Sequence, residues 1–283
     1  MDKSGVQTTL VNVGLSQLTK SIDLLSQPSI RLYTTSAEAA ALGVGASRIG
    51  GVPDLPAGVN WPEWKGRPQS FIAQIRLDEV HQYDTNGLLP PHGMLWFFYD
   101  ASQQTFGDSP ADSGGWRVLF IDGDLSKLQQ ASAPAQLPTE SRFKPCSIKF
   151  ASEMTLTQQP ELEIPHLNWS EAQQKQYDAL LSTFPSADDR TKAHHRLLGF
   201  PDTIQDDMRV QCQLVSNGVT NSDDPRAAAL TKGATDWQLL LQIDSDEQAG
   251  MRWGNSGMLY YWLKRADLQT RHFERAWLVL QSE

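Results

Sequence analysis

Short runs of apolar and aromatic residues recur along the chain and predict a β-rich protein. Each run is five or six residues long and is bounded by Gly, Asp or Pro, a pattern typical of strands. The predicted strands are Phe71–Ile75, Met94–Tyr99, Trp116–Ile121, Gln238–Ile243, Met258–Leu263 and Ala276–Leu280. The stretch from Gln129 to Pro165 is rich in Pro, Ser, Thr and Gln, so it is predicted to connect two halves, with one further strand considered at Ser147–Phe150.

Between these runs, apolar residues at helical spacing and capping signals predict several helices. One stripe is formed by Leu15, Leu18, Ile22 and Leu25 and is ended by Pro28. Ser170 and Gln173 form a capping-box pattern that opens a helix toward Phe184. The remaining predicted helices are Ser36–Gly43, Ser186–Leu198 and Asp224–Gly233.

Several segments of the first half return in the second half in the same order, which predicts an internal duplication. Gly51–Asp54 returns as Gly199–Asp202, and Gly93–Phe98 returns as Gly257–Trp262. Gln74-Ile75 with the acidic pair Asp78-Glu79 returns as Gln242-Ile243 with Asp246-Glu247, and the offsets between matching segments differ only by loop-sized insertions. One short sheet cannot bury both faces, whereas two packed copies can. The sequence therefore predicts an α+β, β-rich fold of two related sheet units packed together, with peripheral helices.

The predicted domain organisation follows from this repeat. Residues 1–29 form an N-terminal helical segment, 30–128 the first half, 129–185 a connecting region with a helix, and 186–283 the second half. We expect these parts to make one integrated domain.

Six blocks in order resemble the signature segments of the YwqG-like family, a bacterial family of unknown function. The blocks are Arg48–Pro56, Trp61-Pro62, Ser70–Ile75, Leu197–Pro201, Leu240–Asp246 and Trp253–Tyr260. The resemblance extends from about residue 30 to the end of the chain. It implies a duplicated, β-rich α+β fold and gives no catalytic residues to carry over. Members resemble proteins that are encoded beside polymorphic or type VI secreted toxins and are proposed to be immunity proteins.

Composition narrows the function further. The 283 residues carry a formal net charge of −9, which argues against binding nucleic acid. The longest apolar runs are far shorter than the roughly 20 residues of a membrane-spanning helix, and the N-terminus has no secretory pattern. The two cysteines, Cys146 and Cys212, have neither disulfide-framework nor zinc spacing. We therefore expect a cytoplasmic protein with reduced thiols that does not enter membranes.

The acidic excess is concentrated between Gly199 and Gly250, where nine acids face three bases and the net charge is −6. A solvated face explains such a stretch, and so does a docking surface for a basic partner. The candidate partner-binding residues are Asp206, Asp207, Asp223, Asp224, Asp244, Asp246 and Glu247. A cleft between the halves is a second candidate site, with Asp78, Glu79, Trp253 and Asn255 as its candidate residues.

No convincing set of catalytic residues is found. Asp112–Gly115 resembles the nucleophile loop of a serine protease, but no histidine lies in a matching context, so we expect a turn before a strand. His194 and His195 are adjacent on a predicted helix, point in different directions and are unsuited to one metal; we expect one partly buried and one exposed ring. Asp244–Glu247 resembles half of a calcium loop but lacks its further ligands. We expect neither enzymatic activity, nor a metal, nor a cofactor.

These observations favour a non-catalytic binding protein that is monomeric when unbound. On the family resemblance, it is expected to be an immunity protein that occludes a cognate secreted toxin, with a basic nuclease as one such partner. Two alternatives stay open. One is a small-molecule or carbohydrate-binding protein, or a weak hydrolase, that uses the cleft; the other is a housekeeping protein-interaction module.

Overall fold

A computed structural model describes residues 1–164, 166–187 and 191–283, and it confirms the predicted β-rich α+β class. The described residues contain fourteen strands: β1 Ser26–Ser36, β2 Arg48–Ile49, β3 Asp54–Pro56, β4 Glu63–Trp64, β5 Arg67–Pro68, β6 Ser70–Arg76, β7 Met94–Tyr99, β8 Trp116–Ile121, β9 Leu128–Gln130, β10 Cys146–Leu156, β11 His195–Leu197, β12 Trp237–Asp244, β13 Met258–Lys264 and β14 Trp277–Gln281. They also contain eight α-helices: α1 Lys3–Asn12, α2 Ile22–Leu25, α3 Leu77–Val80, α4 Pro160–Glu163, α5 Glu171–Leu181, α6 Met208–Val215, α7 Ala227–Thr231 and α8 Arg265–Gln269. None of these helices is long and apolar enough to cross a membrane.

Ten strands form one antiparallel sheet in the order β14-β13-β12-β11-β1-β10-β2-β6-β7-β8. The two eleven-residue strands β1 and β10 pair along their full length at its centre. On its other side, β1 of the first half pairs with the short strand β11 of the second half, and β10, from the predicted connecting region, pairs with the short strand β2 of the first half. The predicted halves are therefore tied together by hydrogen bonds through the middle of the sheet.

The sheet is so strongly curved that its two edge strands, β8 and β14, approach each other. Trp116 and Trp277 meet edge to face with ring centroids 4.9 Å apart, and the Trp116 indole donates to the Ala276 carbonyl at 2.7 Å. The hydroxyl of Tyr261 donates to the carbonyl of Phe98 at 3.1 Å. These contacts cover strand edges that would otherwise offer unpaired backbone groups.

Side chains of successive strand residues point to opposite faces, and this alternation builds two layers of core. On β7, Leu95, Phe97 and Tyr99 point into the main core, which both halves share. Met94, Trp96 and Phe98 pack on the other face in a smaller cluster with Leu55 and Leu128 of the β3–β9 pair. A third cluster joins the N-terminal helices to α5 and the end of β10.

The structure corrects several local predictions. Ser36–Gly43 is not a helix: β1 runs to Ser36, and only a 3₁₀ turn follows at Ala39–Ala41. The stripe from Leu15 to Leu25 is buried as its pattern suggested, but it lies on a 3₁₀ turn, Ser16–Ser21, followed by α2. In the predicted helix Ser186–Leu198, residues 188–190 lie outside the described part, and His195–Leu197 form strand β11.

Other predictions hold. All six predicted strands are present within one residue of their expected bounds. The capping box at Ser170 is formed in both directions, with the Ser170 amide donating to the Gln173 side chain at 2.8 Å. The Gly115 amide donates to the Asp112 carbonyl at 2.7 Å, so Asp112–Gly115 forms the expected turn before β8.

Corresponding positions of the two halves occupy matching places in the sheet. Ile49 of β2 faces Cys146, and Leu197 of β11, its counterpart in the second half, faces Ile30. The pairing of β6 with β7 shifts register between Phe71 and Ala73, and that of β12 with β13 shifts between the matching residues Leu239 and Leu241. A β-bulge thus recurs at the same place. These matches agree with the predicted repeat, while duplication as its origin stays a prediction.

Candidate functional site

A buried cluster of an arginine, an aspartate and a glutamine lies beside the short strand β2. Arg48 and Asp54 form an ion pair, and both side chains are almost completely buried. Gln74 on β6 completes the cluster: its Nε2 donates to Asp54 Oδ2 at 2.8 Å and to the Ala46 carbonyl at 2.8 Å, while its Oε1 accepts from the Asp54 amide at 2.8 Å. Burial alone lowers the pKa of Arg48, and the charge of Asp54 opposes that effect.

The same cluster recurs beside β11, contact for contact. Arg196 Nη2 lies 2.7 Å from Asp202 Oδ2, and Gln242 Nε2 donates to that oxygen at 3.0 Å. Gln242 also donates to the His194 carbonyl at 2.7 Å and accepts from the Asp202 amide at 2.8 Å. The Arg196 guanidinium donates to the Phe200 carbonyl at 2.7 Å. The predicted turns Gly51–Asp54 and Gly199–Asp202 are therefore each anchored by one arginine and one glutamine.

Among the described residues, the second cluster contains three further ionisable side chains. Arg31 on β1 lies opposite Arg196 in the sheet. Glu153 on β10 lies between the two arginines, with 3.3 Å from Arg196 Nε to Oε2 and 3.9 Å from Arg31 Nε to Oε1. His194 joins the two carboxylates, with Nε2 3.1 Å from Glu153 Oε1 and Nδ1 3.3 Å from Asp202 Oδ2. All these side chains are buried, so each charge is held by oppositely charged neighbours with little access to water.

The charges of this cluster shift its pKa values. Burial alone would raise the pKa of Glu153, but the charge of Arg196, the hydrogen bond from His194 and the charge of Arg31 outweigh it and hold the pKa at about 2. Burial, followed by the charge of Arg196, lowers the pKa of His194 despite its hydrogen bond to Glu153. Glu153 is therefore held as a carboxylate, and His194 is held neutral.

His195 belongs to a separate chain of hydrogen bonds at the end of β12. The Asp244 amide donates to His195 Nδ1 at 3.1 Å, so the ring proton lies on Nε2, which donates to Asp246 Oδ2 at 3.1 Å. Thr34 also donates to Asp246 Oδ2, at 2.7 Å. Burial alone would raise the pKa of Asp246, but the hydrogen bonds from His195 and Thr34 lower it to about 2. The prediction of one exposed histidine was wrong, since His194 and His195 are both buried by the sheet.

The seven acidic candidates have different environments. Asp246 is buried, so it does not belong to an exposed acidic surface, and Asp244 is half-buried and accepts from the His194 amide at 2.8 Å. Two are paired with arginines: Asp207 lies 2.9 Å from Arg209 Nε, and Asp224 lies 2.8 Å from Arg226 Nη2. The exposed members with no cation contact within the described ranges are Asp206, Asp223 and Glu247.

These three exposed acids lie at two ends of the sheet. The Gln281 side chain donates to the Asp206 carbonyl at 2.9 Å. Gln281 pairs across the sheet with Met258, which pairs with Asp244, three residues before Glu247. Asp206 and Glu247 therefore lie at the same end of the sheet. Asp223 precedes α7, which leads into the opposite end of β12 at Trp237. Because an eight-residue strand is roughly 25 Å long, the acidic stretch forms two separate patches.

The cleft predicted between the acidic strand ends is not built from the expected residues. Asp78 is exposed and contacts His92 at 3.1 Å and Arg76 at 3.7 Å. Glu79 accepts from the Ser47 amide at 3.4 Å. Neither residue contacts Asp246 or Glu247 among the contacts that the described residues make.

Trp253 and Asn255 also differ from the predicted cleft. Trp253 is completely buried and packs edge to face on Tyr99 and Phe143, with ring centroids 5.9 and 5.4 Å away. It therefore joins the halves as a core residue and lines no cleft. Asn255 is exposed, and its carbonyl accepts from the Glu283 amide at 3.3 Å.

A groove of about 690 Å³ does lie between the halves, at a different place. We call it the inter-half groove; its walls come from the N-terminal helices, the start of β1, the loop before β7, and α8, and include Lys3, Asp23, Gln27, Pro90, Arg265 and Arg271. Two of its cations are paired with carboxylates, Lys3 with Asp23 and Arg271 with Asp122. Arg265 is exposed and contacts no carboxylate in the described part of the chain.

The inter-half groove adjoins a small cavity, here called the tryptophan cavity, of about 30 Å³. Gln27, Gln238 and Arg265 line both spaces, and the indoles of Trp237 and Trp262 line the cavity. Trp237 Nε1 donates to the Gln213 side chain at 2.8 Å. Trp262 Nε1 is buried and has no acceptor among the described residues, although interior donors are nearly always paired. Neither Trp237 nor Trp262 was among the residues predicted for the cleft, where Trp253 was the tryptophan expected.

No group of three or more His, Cys, Asp or Glu side chains within the described ranges is arranged to hold a metal ion. Cys146 and Cys212 are buried and separate from each other, and burial raises the pKa of the Cys146 thiol to about 11. The arrangements described above can anchor turns, present charge and accept a ligand in the inter-half groove.

The model of a family described as a domain of unknown function, DUF1963, matches residues 47–282. A search of curated proteins found no significant match.

Proposed function

We propose that this chain, which belongs to the DUF1963 family of domains of unknown function, is a binding protein that acts by docking to another protein through the acidic end of its sheet. The main support for this proposal is the contrast between acidic residues that are buried and paired and acidic residues that are exposed and unpaired in the part of the chain that the structure describes. Glu153 and Asp246 in the interior are held by neighbouring side chains, whereas Asp206 and Glu247 are exposed and contact no cation in the described structure. Exposed charge of one sign steers a partner of the opposite sign.

The scaffold supports this role. A protein that inhibits another by occlusion needs a rigid surface more than reactive groups. Here the β1–β10 pair and the two anchored turns hold the strands of the sheet in place. The partner class that fits is a basic protein.

The finer proposal is that this partner is a secreted toxin encoded beside the protein and that docking neutralises it. The resemblance to proposed immunity proteins supports it, and so does the acidic charge, since a nuclease toxin must carry basic residues that grip phosphate. The alternative of a housekeeping interaction module keeps the docking surface but has a different partner.

A charge-reversal experiment tests the proposal. Asp206→Lys with Glu247→Lys reverses two charges at the proposed surface, and Glu38→Lys with Glu140→Lys is a matched control on exposed acids outside the acidic stretch. Binding to the purified product of the adjacent gene is measured at low and at physiological salt. We expect the first variant to associate at least tenfold more slowly at low salt, and the control to remain near wild type.

Three outcomes distinguish the alternatives. If both variants associate more slowly to the same extent, the overall net charge of the protein explains the slower association. That outcome would contradict a docking surface at Asp206 and Glu247. Tight binding to an adjacent gene product that is not toxic would support the interaction module over the immunity protein. If the adjacent gene product does not bind at all, it is the partner in neither version of the proposal, and the immunity proposal in particular is contradicted.

A further inference from the structure

We propose that the inter-half groove, with the tryptophan cavity at its inner end, binds a small polar molecule that carries one carboxylate. The site differs from the exposed acids Asp206 and Glu247 proposed to dock a protein, although Asp207, another of the acidic candidates, lines the tryptophan cavity and is paired there with Arg209. Its lining comes from both halves and from the N-terminal helices, so a bound molecule would contact all three parts of the chain.

The buried donor of Trp262 is the first observation that indicates a ligand. Its Nε1 has no acceptor among the described residues, and the indole lines the tryptophan cavity. The volume of about 30 Å³ is close to the share of one water molecule in the liquid, so a single hydroxyl or carbonyl oxygen fits beside the indole. A ligand that places an oxygen there would satisfy the donor.

The charge of the groove is the second observation. Lys3 and Arg271 are already neutralised by Asp23 and Asp122, which leaves Arg265 as the cation without a carboxylate in the described structure. Arg265 lines both the groove and the cavity. A guanidinium binds a carboxylate through two parallel hydrogen bonds. One unpaired guanidinium matches a singly charged carboxylate better than a doubly charged phosphate.

The polar lining and the size of the groove define the rest of the ligand. Gln27 and Gln238 line both the groove and the cavity. Within the described ranges, the hydrogen bonds that the Gln238 amide donates are long, 3.4 and 3.5 Å, and go to backbone carbonyls. These amides can bind hydroxyl or amide groups of a ligand. A space of about 690 Å³ falls within the usual range of small-molecule sites, roughly 300–1,000 Å³. The chemistry indicated is that of a sugar acid.

The test uses the full chain and the indole N–H signals of its nine tryptophans in a ¹⁵N-correlated NMR spectrum. Trp262→Phe identifies the Trp262 signal by its loss. The probes are D-glucuronate and D-gluconate, each paired with the neutral counterpart that lacks the carboxylate, D-glucose or D-glucitol, and D-glucose 6-phosphate represents a phosphate. We expect at least one carboxylate to shift the Trp262 signal saturably, with at least tenfold higher affinity than its neutral counterpart.

Two arginine variants complete the test. Arg265→Gln should weaken binding of that carboxylate at least tenfold, whereas Arg252→Gln, at an exposed arginine outside the groove, should leave it unchanged. The proposal is overturned if neither carboxylate moves the Trp262 signal, which would leave water as the only occupant of the cavity. It is also overturned if the neutral counterpart or the phosphate binds as well as the carboxylate, or if both arginine variants behave alike.

Discussion

The two Arg–Asp–Gln clusters have the same internal contacts but different neighbours in the sheet. Opposite Arg48, the central strand β10 presents Ser147, whereas opposite Arg196 the central strand β1 presents a second arginine, Arg31. A second buried cation needs a second buried anion, and Glu153 fulfils that need. The same Arg–Asp–Gln cluster therefore contains a single ion pair in the first half and, among the described residues, belongs to a network of four charged side chains in the second half. The difference follows from the residue that the facing strand places opposite the arginine.

This difference predicts that the stability of the two clusters depends to different degrees on a single carboxylate. In the first half, Asp54 is the carboxylate that faces Arg48. In the second half, Arg196 contacts both Asp202 and Glu153. Loss of one carboxylate should therefore matter more in the simpler cluster, and each prediction below tests this contrast.

The largest effect is expected for Asp54→Asn. The substitution keeps the shape of the side chain but leaves the buried guanidinium of Arg48 without its carboxylate, which should lower the free energy of unfolding by about 3–5 kcal/mol. Asp202→Asn should lower it by about half as much, because Glu153 remains 3.3 Å from Arg196. Urea denaturation of both variants measures the difference. Equal losses would show that the second carboxylate gives no redundancy.

The next largest effect concerns acid. The pKa of Glu153 in the folded protein, about 2, lies below its ordinary value of 4.5, so its contribution to stability is complete above pH 4.5 and is lost as pH falls toward 2. At about 1.4 kcal/mol per pKa unit, that contribution is on the order of 3 kcal/mol. The lowered pKa of His194 acts in the same direction and makes stability decline as pH falls below 6.5.

Glu153→Gln isolates this effect. The variant should be clearly less stable than wild type at pH 7, and the gap between the two proteins should narrow as pH falls from 4.5 toward 2, because protonated glutamate and glutamine resemble each other. Unfolding free energies measured by denaturant titration across this range check the trend. A gap that stays constant with pH would mean that Glu153 contributes through packing and not through its charge.

The strands that the sequence predicts well are those whose side chains follow simple apolar patterns. Met94–Tyr99 and Trp116–Ile121 were predicted to the residue, because both are apolar and bounded by turn formers. The central strands were predicted less well: β1, which carries Arg31 among its buried residues, was not predicted, and of β10, which carries Glu153, only Ser147–Phe150 was considered as a strand. When only the sequence is read, a charged residue suggests an exposed position. The structure is needed to show that Arg31 and Glu153 are buried beside partners of opposite charge.

The candidate site was predictable to a similar degree. The repeated Gly-x-Pro-Asp turns and their glutamines were found as a sequence match, but their role as a buried ionic anchor depends on Arg48 and Arg196, which the sequence does not link to them. The acidic stretch was counted along the chain, whereas the sheet divides it between two ends. The inter-half groove could not be anticipated, because its walls come from segments that are distant in sequence.

A smaller effect is expected from the donors that hold the two anchored turns. The Tyr260 hydroxyl donates to the Asp202 carbonyl at 2.5 Å, and at the matching position of the first half Trp96 Nε1 donates to the Asp54 carbonyl at 2.9 Å. Tyr260→Phe removes only the hydroxyl and leaves that carbonyl unpaired, so it should lower the free energy of unfolding by about 1–2 kcal/mol. Denaturant titration measures the loss. An unchanged stability would indicate that the second turn is held by Gln242 and Arg196 without help from Tyr260.

The smallest effect is expected for Trp262→Phe, which gives the second half the residue that the first half has at the matching position, Phe98. Replacing indole by phenyl loses packing, but it also removes a buried donor that has no acceptor in the described structure, and such a donor is unfavourable by about 1–3 kcal/mol. The two contributions oppose each other, so stability should change by less than about 1 kcal/mol. Trp96→Phe is the matched control, because it loses the same packing together with a hydrogen bond that is made. If both variants lose equal stability, the indole of Trp262 is already paired in the free protein, and the donor assigned to the carboxylate site is not available to a ligand.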